Sequence, residues 1–323
     1  MTILQTQRAL IHYVDRCEVH VEGSVVVHRQ ASSGRTASWN IPSKNLSILL
    51  LGPGSSITNE AMRILSDDDV VVGFSGTGGT PVFSMPFTTF RKTEVFGEWL
   101  AIYNDPERRV FAVKSMFRQR QANLINAART ISADLAEPTC IPELCHTFSR
   151  SMLKADRVDR LMGIEGGFAR QVYQEMARLY GIEWSGRNNS GLRAEKDAIN
   201  KLIDDGNYLI YGIVCLVINV YGLVPQIGVC HGRTNGASLV CDIADIFKDS
   251  VILPAACEWR SGGGVPGAAY RNMLLQRLEE ADVRGRAFRA IREIIADTST
   301  SGKAPEKKVI SQDNQVRAGV LAV

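Results

Sequence analysis

Residues 107–128, ERRVFAVKSMFRQRQANLINAA, contain neither proline nor glycine and are rich in arginine, glutamine and alanine. These residue types favour helix, so the stretch predicts one long helix. Residues 17–29, CEVHVEGSVVVHR, differ, because two short runs of alternating or β-branched residues flank Glu22 and Gly23, a pattern typical of a hairpin. The periodicity changes from strand to helix near residue 95, and the sequence therefore predicts an α+β fold.

The strand-type region, residues 1–94, predicts a β-rich domain built as a small sheet or sandwich. Its other apolar runs are residues 48–51 and 70–74. Between them, residues 58–65 predict a short helix. Thr58 is its expected N-cap, because a threonine hydroxyl can accept a hydrogen bond from a free N–H of the first turn.

Residues 95–300 predict a mainly helical domain, and residues 301–323 predict a mobile tail. Residues 208–224, YLIYGIVCLVINVYGLV, predict a buried core helix rather than a membrane span, since the run is short and contains two glycines and an asparagine. Helices are also predicted over residues 238–249 and 271–296. A further helix is predicted over residues 149–180, with one buried face formed by Leu161, Ile164, Phe168, Val172 and Leu179.

The charge balance conceals an uneven distribution. The chain has 37 basic and 34 acidic residues, a net charge of +3. Counted by position, residues 1–90 carry a net −1, residues 91–170 a net +3, residues 171–269 a net −2 and residues 270–323 a net +3. Two basic stretches therefore flank an acidic one. The 45% of hydrophobic residues excludes a wholly disordered chain.

The seven cysteines are an odd number without a Cys-x-x-Cys pair, and several lie in apolar runs. They predict buried thiols in a reducing compartment. The N-terminus has no long apolar segment with a small-residue cleavage site, so no export signal is expected. Together these features predict a cytoplasmic protein without a membrane anchor.

Glu165 lies in the segment LMGIEGGFARQVY, four residues after Leu161 and three before Phe168. Helix geometry therefore places its carboxylate at the edge of the apolar face, where it is partly desolvated. Three glycines, Gly163, Gly166 and Gly167, surround it, and each costs about 1 kcal/mol relative to alanine inside a helix. Close approach of a ligand or of another helix could offset that cost, and local spacing leaves both possibilities open.

His231, Asp242 and Asp245 form a second cluster of polar residues. The two aspartates are three residues apart, so a helix places both carboxylates on one face. Like charges that close raise each other's proton affinity unless a cation lies between them. Oxygen ligands suit magnesium or manganese, and a neighbouring imidazole shifts the preference toward manganese. The alternative is that Asp242 and Asp245 are two solvated carboxylates on a surface helix. The apolar residues that flank them in the sequence disfavour this alternative.

Other polar residues surround this cluster in sequence. Lys248, three residues after Asp245, could hold a phosphate oxygen or neutralise the aspartate. Arg233 and Asn235 could reach a DNA backbone from the loop before the helix. Tyr211 and Asn207 lie one turn apart on the apolar helix and need polar partners there. Two groups of arginines could contact phosphates, although charged helix faces are usually only solvated. The first group is Arg108, Arg109, Arg118, Arg120 and Arg129, and the second is Arg284, Arg286, Arg289 and Arg292.

Read together, the segments GIEGG, VCHG and DIADIFKDSVILP resemble the CRISPR-associated spacer integrases, the catalytic subunits of CRISPR adaptation. The family pattern is a Glu in a Gly-rich helix, a His about 65 residues later and an Asp-x-x-Asp helix beyond it. Here the intervals are 66, 11 and 3 residues. The segments SWNIPSKNLSILLLGPGSSITNEAMRIL, VVGFSGTGGTPVF and DDGNYLIYG are most similar to the I-F subtype.

The resemblance implies a fold and a site. The fold is an N-terminal β-sandwich, used for dimerisation, followed by a helical catalytic domain. Glu165, His231 and Asp245 would bind one divalent metal, Mg²⁺ or Mn²⁺, with Asp242 as a further acidic residue. Lys248, Arg233 and Tyr211 match positions near the family's active site. The catalytic residues implied are therefore Glu165, His231, Asp242, Asp245 and Lys248, with Arg233 and Tyr211 as DNA contacts.

The resemblance also implies a reaction and partners. The 3′-hydroxyl of a short duplex, the new spacer, attacks a phosphodiester of the CRISPR repeat, and water in its place gives an endonuclease. Members form homodimers and assemble with a small ferredoxin-like subunit, which in the I-F subtype is fused to a helicase-nuclease. Two alternatives stay open: a dedicated structure-specific nuclease, and a non-catalytic DNA-binding subunit with a structural metal.

Overall fold

Two four-stranded sheets form the N-terminal part of the chain. The computed structural model describes residues 4–32, 35–75, 82–86, 91–137, 140–187, 197–232 and 236–301. The predicted tail therefore lies outside the described residues, apart from Ser301. The strands are β1 (Ala9–Val14), β2 (Glu18–Glu22), β3 (Val25–Ser32), β4 (Arg35–Asn40), β5 (Leu46–Leu51), β6 (Ser56–Ile57), β7 (Val71–Phe74) and β8 (Val82–Ser84).

The first sheet has the order β1-β5-β7-β8, and the second has the order β4-β3-β2-β6. Strands β1, β5 and β7 run parallel, and β8 pairs antiparallel with β7. The predicted hairpin is the β2–β3 pair, in which Glu22 pairs with Val25. Gly23 occupies its turn with a φ of 62°, a conformation that glycine adopts without steric strain.

The first sheet is covered on both faces, which explains why every residue of β5 is buried. Leu49 and Leu51 face the second sheet, where they pack with Val19, Val26 and helix α1 (Asn59–Asp67). Ile48 and Leu50 belong to the larger core formed with the helices. Thr58 caps α1 by accepting a hydrogen bond from the N–H of Ala61. The predicted sandwich and N-cap are confirmed.

Helices make up almost all of the described chain from residue 94 onward. They are α2 (Glu94–Asn104), α3 (Pro106–Ile131), α4 (Ala133–Ala136), α5 (Ile141–Leu153), α6 (Val158–Leu179), α7 (Ala198–Val220), α8 (Ser238–Phe247), α9 (Leu253–Ser261), α10 (Ala268–Glu280) and α11 (Val283–Ser301). A π-helical turn, Lys248–Ile252, joins α8 to α9. The predicted α+β fold is confirmed. The predicted domain boundary at residue 94 coincides with the start of α2 and stays a prediction.

Helix α3 begins where its sequence provides a capping residue. The Asp105 carboxylate accepts hydrogen bonds from the N–H groups of Glu107 and Arg108, and Pro106 occupies the first turn, where its missing N–H is harmless. The helix packs against α8, α11 and α5. It is therefore a central element of the helical region.

Helix α7 is the core helix that the apolar run predicts. It is long and apolar enough to cross a membrane, but 83% of its most apolar 18-residue window is buried inside the protein. It starts at Ala198, ten residues before the apolar run, because Asp197 caps it. Its Gly206 is packed against Ile252, where a β-carbon would lie 2.4 Å from a methyl group.

Two predicted helices are each two helices in the structure. The predicted helix over residues 149–180 is broken between Leu153 and Val158, where α5 ends and α6 begins. The predicted helix over residues 271–296 is broken at Asp282, which has a positive φ of 45°. The carboxylate of Asp282 accepts a hydrogen bond from the N–H of Gly285 and so caps α11. The single-helix predictions were wrong at these two points.

Candidate active site

Four of the predicted site residues meet in one small cavity of about 20 Å³. Glu165 comes from α6, His231 from the loop before α8, and Asp242 and Asp245 from α8 itself. The three-residue spacing does place both aspartates on one side of α8, as predicted. The residues are therefore close in space although 80 positions of sequence separate the first from the last.

Asp242 is fully buried, and its carboxylate is surrounded by hydrogen-bond donors. One oxygen, Oδ2, accepts from the N–H groups of Val229 at 2.6 Å and Cys230 at 2.9 Å. The other, Oδ1, accepts from the N–H of His231 at 3.0 Å and lies 2.7 Å from His231 Nδ1. These contacts fold the loop that precedes α8 around the aspartate. Asp242 therefore shapes the site and orients the imidazole.

The hydrogen bond to Asp242 determines which nitrogen of His231 is available. When Nδ1 carries the proton that it donates to Asp242, the lone pair of Nε2 is exposed to the cavity. Nε2 lies 3.4 Å from Asp245 Oδ2. The hydrogen bond to Asp242, with further help from the charge of Asp245, raises the pKa of His231 above its usual value despite the burial of the ring.

Asp245 lies between the imidazole and a lysine. Its Oδ1 is 2.6 Å from Nζ of Lys248, which also donates to the hydroxyl of Tyr211 at 2.9 Å. Burial is the largest single influence on Asp245 and raises its pKa, but Lys248, His231 and Arg120 together outweigh it and hold the pKa below the usual value. Burial would likewise lower the pKa of Lys248, yet the Asp245 carboxylate and the Tyr211 hydroxyl together keep it well above the usual value. Asp245 and Lys248 are therefore both charged at neutral pH.

Glu165 is partly exposed, with 26% of its side chain accessible, and its Oε1 accepts a hydrogen bond from Arg120. The three glycines around it do not mark a tight helix crossing. A β-carbon built on Gly163, Gly166 or Gly167 would meet no atom of the described residues within 4 Å. The glycines instead leave an open surface beside the carboxylate, which favours the ligand-approach interpretation over the helix-crossing one.

This open surface adjoins a cleft of about 1010 Å³. Glu165, His231, Asp245 and Lys248 line one part of it. Tyr211 and Asn207, from the middle of α7, also face the cleft. The acidic cluster is therefore accessible from a space large enough for part of a macromolecular substrate.

Two overlapping sets of donors could hold a metal ion, and they are not equally compact, since among the described residues the ligand atoms of Glu165, His231 and Asp245 do not all lie within 4.8 Å of one another. Atoms of Cys230, His231 and Asp242 lie within 4.8 Å of one another, close enough for a metal ion. However, both Asp242 oxygens already accept hydrogen bonds, and burial strongly raises the pKa of the Cys230 thiol, which disfavours the thiolate. The donor set of Glu165, His231 Nε2 and Asp245, with two carboxylates beside an accessible cleft, fits a divalent ion such as Mg²⁺ or Mn²⁺ better.

Arg120 and Asp249 belong to the site, but the sequence did not reveal their role. The sequence suggests only a phosphate contact for Arg120, whereas its side chain is 5% exposed and donates to both Glu165 and Asp249. A signal was present, because Arg120 lies four residues from the buried Met116 and Leu124 on the same helix face. A basic residue in an apolar face of α3 indicates a buried ion pair.

The remaining predicted DNA contacts have different outcomes. Tyr211 is in the cleft and hydrogen-bonded to Lys248. Arg233 lies outside the described residues, as does Asn235. The roles assigned from the resemblance to the site residues stay predictions.

Comparison with known proteins identifies the family. The family model described as "CRISPR associated protein Cas1" matches residues 13–256, three quarters of the chain, and spans all four acidic and histidine residues of the cavity. The chain belongs to the Cas1 family. The resemblance noted in the sequence is thereby confirmed.

Two curated Cas1 relatives are similar over most of their length. The CRISPR-associated endonuclease Cas1 of Pseudomonas aeruginosa (strain UCBPP-PA14) is 32% identical over 273 residues, which cover 79% of this chain and 83% of that protein. The protein of the same name from Pectobacterium atrosepticum is 30% identical, covering 79% of this chain and 82% of its own. The similarity to the Pseudomonas Cas1 fits the predicted I-F subtype.

Solved structures share the fold. A casposase bound to an integration product superposes with a TM-score of 0.74 at 16% identity, covering 96% of each chain. The Cas1-containing chain of a Cas6-RT-Cas1–Cas2 complex superposes with a TM-score of 0.70 at 14% identity, covering 92% of this chain and 35% of that one. At these identities, the superpositions establish the Cas1 fold alone.

Proposed function

We propose that this Cas1 protein is a metal-dependent DNA integrase that inserts short duplexes, the new spacers, into a CRISPR repeat, with an associated endonuclease activity. One observation carries the proposal: Glu165, His231 and Asp245 converge in a cavity that opens onto a large cleft. The names of the relatives, which are called endonucleases, and a structural neighbour bound to an integration product support the same reaction class.

A divalent ion would be held by Glu165, Nε2 of His231 and Asp245, and Mg²⁺ and Mn²⁺ match these donors best. Such an ion, when bound, acts as a Lewis acid toward a phosphoryl oxygen. Asp242 keeps the imidazole in the tautomer whose Nε2 is free. The protein's own part in phosphoryl chemistry is positioning and charge stabilisation.

Lys248 and Tyr211 form the cationic side of the proposed site. The Lys248 ammonium lies 4.6 Å from the centre of the Tyr211 ring and bonds its hydroxyl. Because this ammonium stays protonated, it can stabilise negative charge on a phosphate that enters the cleft. The Tyr211 hydroxyl fixes the position of the ammonium.

The glycine surface of α6 leaves room for a DNA backbone to approach Glu165. Gly163 and Gly167 are exposed with open space at their β-carbon positions, and Gly166 in addition lines the cleft. Side chains there would hold a DNA backbone away from Glu165. The absence of side chains on this surface lets a phosphodiester reach the carboxylate cluster.

Integration and hydrolysis would use the same residues. In integration the nucleophile is the 3′-hydroxyl of the incoming duplex, and the leaving group is the 3′-oxygen of the repeat strand. In hydrolysis water attacks the same phosphorus. A dedicated structure-specific nuclease is the main competing function, and a non-catalytic DNA-binding subunit is the other.

The partners proposed are double-stranded DNA and protein subunits. The DNA is the spacer precursor and the CRISPR repeat. Residues 1–94 would form a homodimer, which would bind a small ferredoxin-like subunit fused to a helicase-nuclease. The Cas1–Cas2 complex among the structural neighbours supports the association with a small adaptation subunit.

The experiment incubates the purified protein with a 3′-hydroxyl duplex carrying a fluorescent label, a supercoiled plasmid with a CRISPR repeat, and Mn²⁺. An integrase transfers the label covalently to the plasmid, whereas a nuclease nicks the plasmid without labelling it. We expect label transfer by the wild type and none by Glu165→Ala, His231→Ala or Asp245→Ala. Circular dichroism spectra would first establish that each variant is folded. Full transfer by any of these variants contradicts the metal assignment.

A further inference from the structure

Arg120 is the most deeply buried cation of the site. It projects from α3 with 5% of its side chain exposed. Its Nε donates to Asp249 Oδ2 at 2.6 Å, and its Nη1 donates to Glu165 Oε1. Its guanidinium carbon lies 5.7 Å from the centre of the Phe168 ring. Two elements, the π-helical turn and α6, therefore hold the planar group that α3 carries.

The contacts of Arg120 fix its direction. Asp249, itself 2% exposed, holds the Nε edge, and the Phe168 ring lies within cation–π distance of the guanidinium. A guanidinium presents its N–H groups in a rigid planar fork, so fixing one edge fixes where the other N–H groups point. Nη1 consequently points at Glu165.

Glu165 has little else to hold it. Gly163, Gly166 and Gly167 offer no side chain to pack against it, and about a quarter of its side chain is exposed toward the cleft. A glutamate side chain loses considerable rotamer entropy when it is ordered, so an unsupported carboxylate would sample many positions. Within the described residues, the hydrogen bond from Arg120 is the contact that holds the Glu165 carboxylate in one position.

We propose that Arg120 is a positioning residue: anchored by Asp249, it holds one oxygen of Glu165 and so directs the other toward His231 and Asp245. The proposal rests on the metal centre proposed above and deepens it. Arg120 acts through Glu165 and need not touch DNA or metal. Removing such outer-shell partners of metal ligands typically lowers metal affinity about 10- to 100-fold.

Charge and positioning can be separated by a paired substitution. Removing Arg120 alone would leave Asp249 buried and unpaired, which destabilises proteins strongly. In the double variant Arg120→Met/Asp249→Asn the lost positive and negative charges cancel, so the net charge of the cluster is unchanged. The matched control is Arg118→Met/Asp297→Asn, which removes an exposed ion pair of the same types whose arginine also lies on α3 and whose aspartate lies on α11.

The measurement is Mn²⁺ binding by electron paramagnetic resonance, on the full chain without DNA, with thermal unfolding recorded for every variant. We expect the Arg120/Asp249 double variant to bind Mn²⁺ at least 10-fold more weakly and the control to bind within twofold of the wild type. Affinity within twofold of the wild type for the Arg120/Asp249 variant overturns the proposal.

A second variant covers the possibility that the double variant fails to fold. Arg120→Lys keeps the charge, but a single ammonium lacks the planar fork that bonds both carboxylates in fixed directions. We expect Mn²⁺ affinity to fall at least fivefold, and unchanged affinity overturns the proposal. If the wild type binds Mn²⁺ but transfers no DNA label, the proposed function fails while the positioning role stands. If the wild type binds no Mn²⁺, both fail.

Discussion

Asp242 and His231 are joined twice: Oδ1 of the aspartate accepts the backbone N–H of His231 at 3.0 Å and lies 2.7 Å from Nδ1 of its ring. A single buried carboxylate oxygen thus fixes the loop and the side chain that it carries. The second oxygen holds the two preceding N–H groups. Loop folding and imidazole orientation therefore depend on the same residue.

Replacing Asp242 with Asn should lower both stability and metal affinity. One oxygen becomes an amide NH₂, which cannot accept the hydrogen bonds from the buried N–H groups. Leaving buried donors unsatisfied costs about 1–3 kcal/mol, so we expect the free energy of unfolding to fall by about 3 kcal/mol. Urea unfolding measures this fall, and Mn²⁺ titration measures the accompanying loss of affinity.

Asp245→Asn is the matched comparison, since Asp245 lies one turn away on α8 but accepts no backbone N–H among its contacts. Its amide oxygen can still accept from Lys248. We expect Mn²⁺ binding to be lost while the free energy of unfolding falls by less than in Asp242→Asn, because no backbone N–H loses its acceptor and Lys248 keeps the Tyr211 hydroxyl and the cleft beside it. Equal stability losses in the two variants would contradict the separate roles given to the aspartates.

The open surface of α6 predicts opposite effects for small and large side chains at Gly166. Its β-carbon position has free space, so Gly166→Ala should raise the free energy of unfolding by about 1 kcal/mol, the helix-propensity difference. Gly166→Trp should keep the fold but block DNA, with label transfer reduced at least tenfold. Destabilisation by alanine, or full activity with tryptophan, would show that this surface is not the approach path.

Two histidines in the N-terminal sheets predict a dependence of stability on pH. His12 and His28, from strands β1 and β3 of different sheets, have ring centres 5.4 Å apart. Burial lowers the pKa of both below 6.5, and for His28 the neighbouring His12 lowers it further. As pH falls through about 6.5, the unfolded chain binds protons before the folded one, so stability decreases.

The test compares urea unfolding at pH 7 and pH 5 in the wild type and in His12→Gln/His28→Gln. We expect the wild type to lose more free energy of unfolding on acidification than the variant does, because the variant lacks the two titrating rings. The comparison cancels the contributions of other groups that both proteins share, including His231. An equal or larger loss in the variant would contradict the assignment.

Much of the fold could be predicted from local sequence. Three features depend on local sequence patterns: the change of periodicity near residue 95, the helix cap at Thr58 and the buried helix α7. The helix breaks near Lys154 and at Asp282 were missed because neither is marked by proline or glycine. Asp282 does carry a helix-capping side chain, which a search for N-caps inside long helical stretches could have found.

Part of the candidate site could be predicted from residue spacing and from the resemblance to a family. The spacing of His231, Asp242 and Asp245 indicates shared geometry, and the resemblance supplies Glu165. Spacing alone could not distinguish Asp242, whose two oxygens already accept hydrogen bonds, from Asp245, which lines the cleft; the resemblance assigned them different roles. The Arg120–Glu165 contact joins residues 45 positions apart on different helices, so only tertiary packing brings it about.

Binding of one divalent ion by Glu165, His231 and Asp245 can be observed by anomalous X-ray scattering from crystals soaked in Mn²⁺. We expect a single strong peak between the two carboxylates and His231 Nε2, and we expect this peak to be lost in Asp245→Asn crystals. A peak between Cys230, His231 Nδ1 and Asp242, or no peak in this cavity, would contradict this metal assignment.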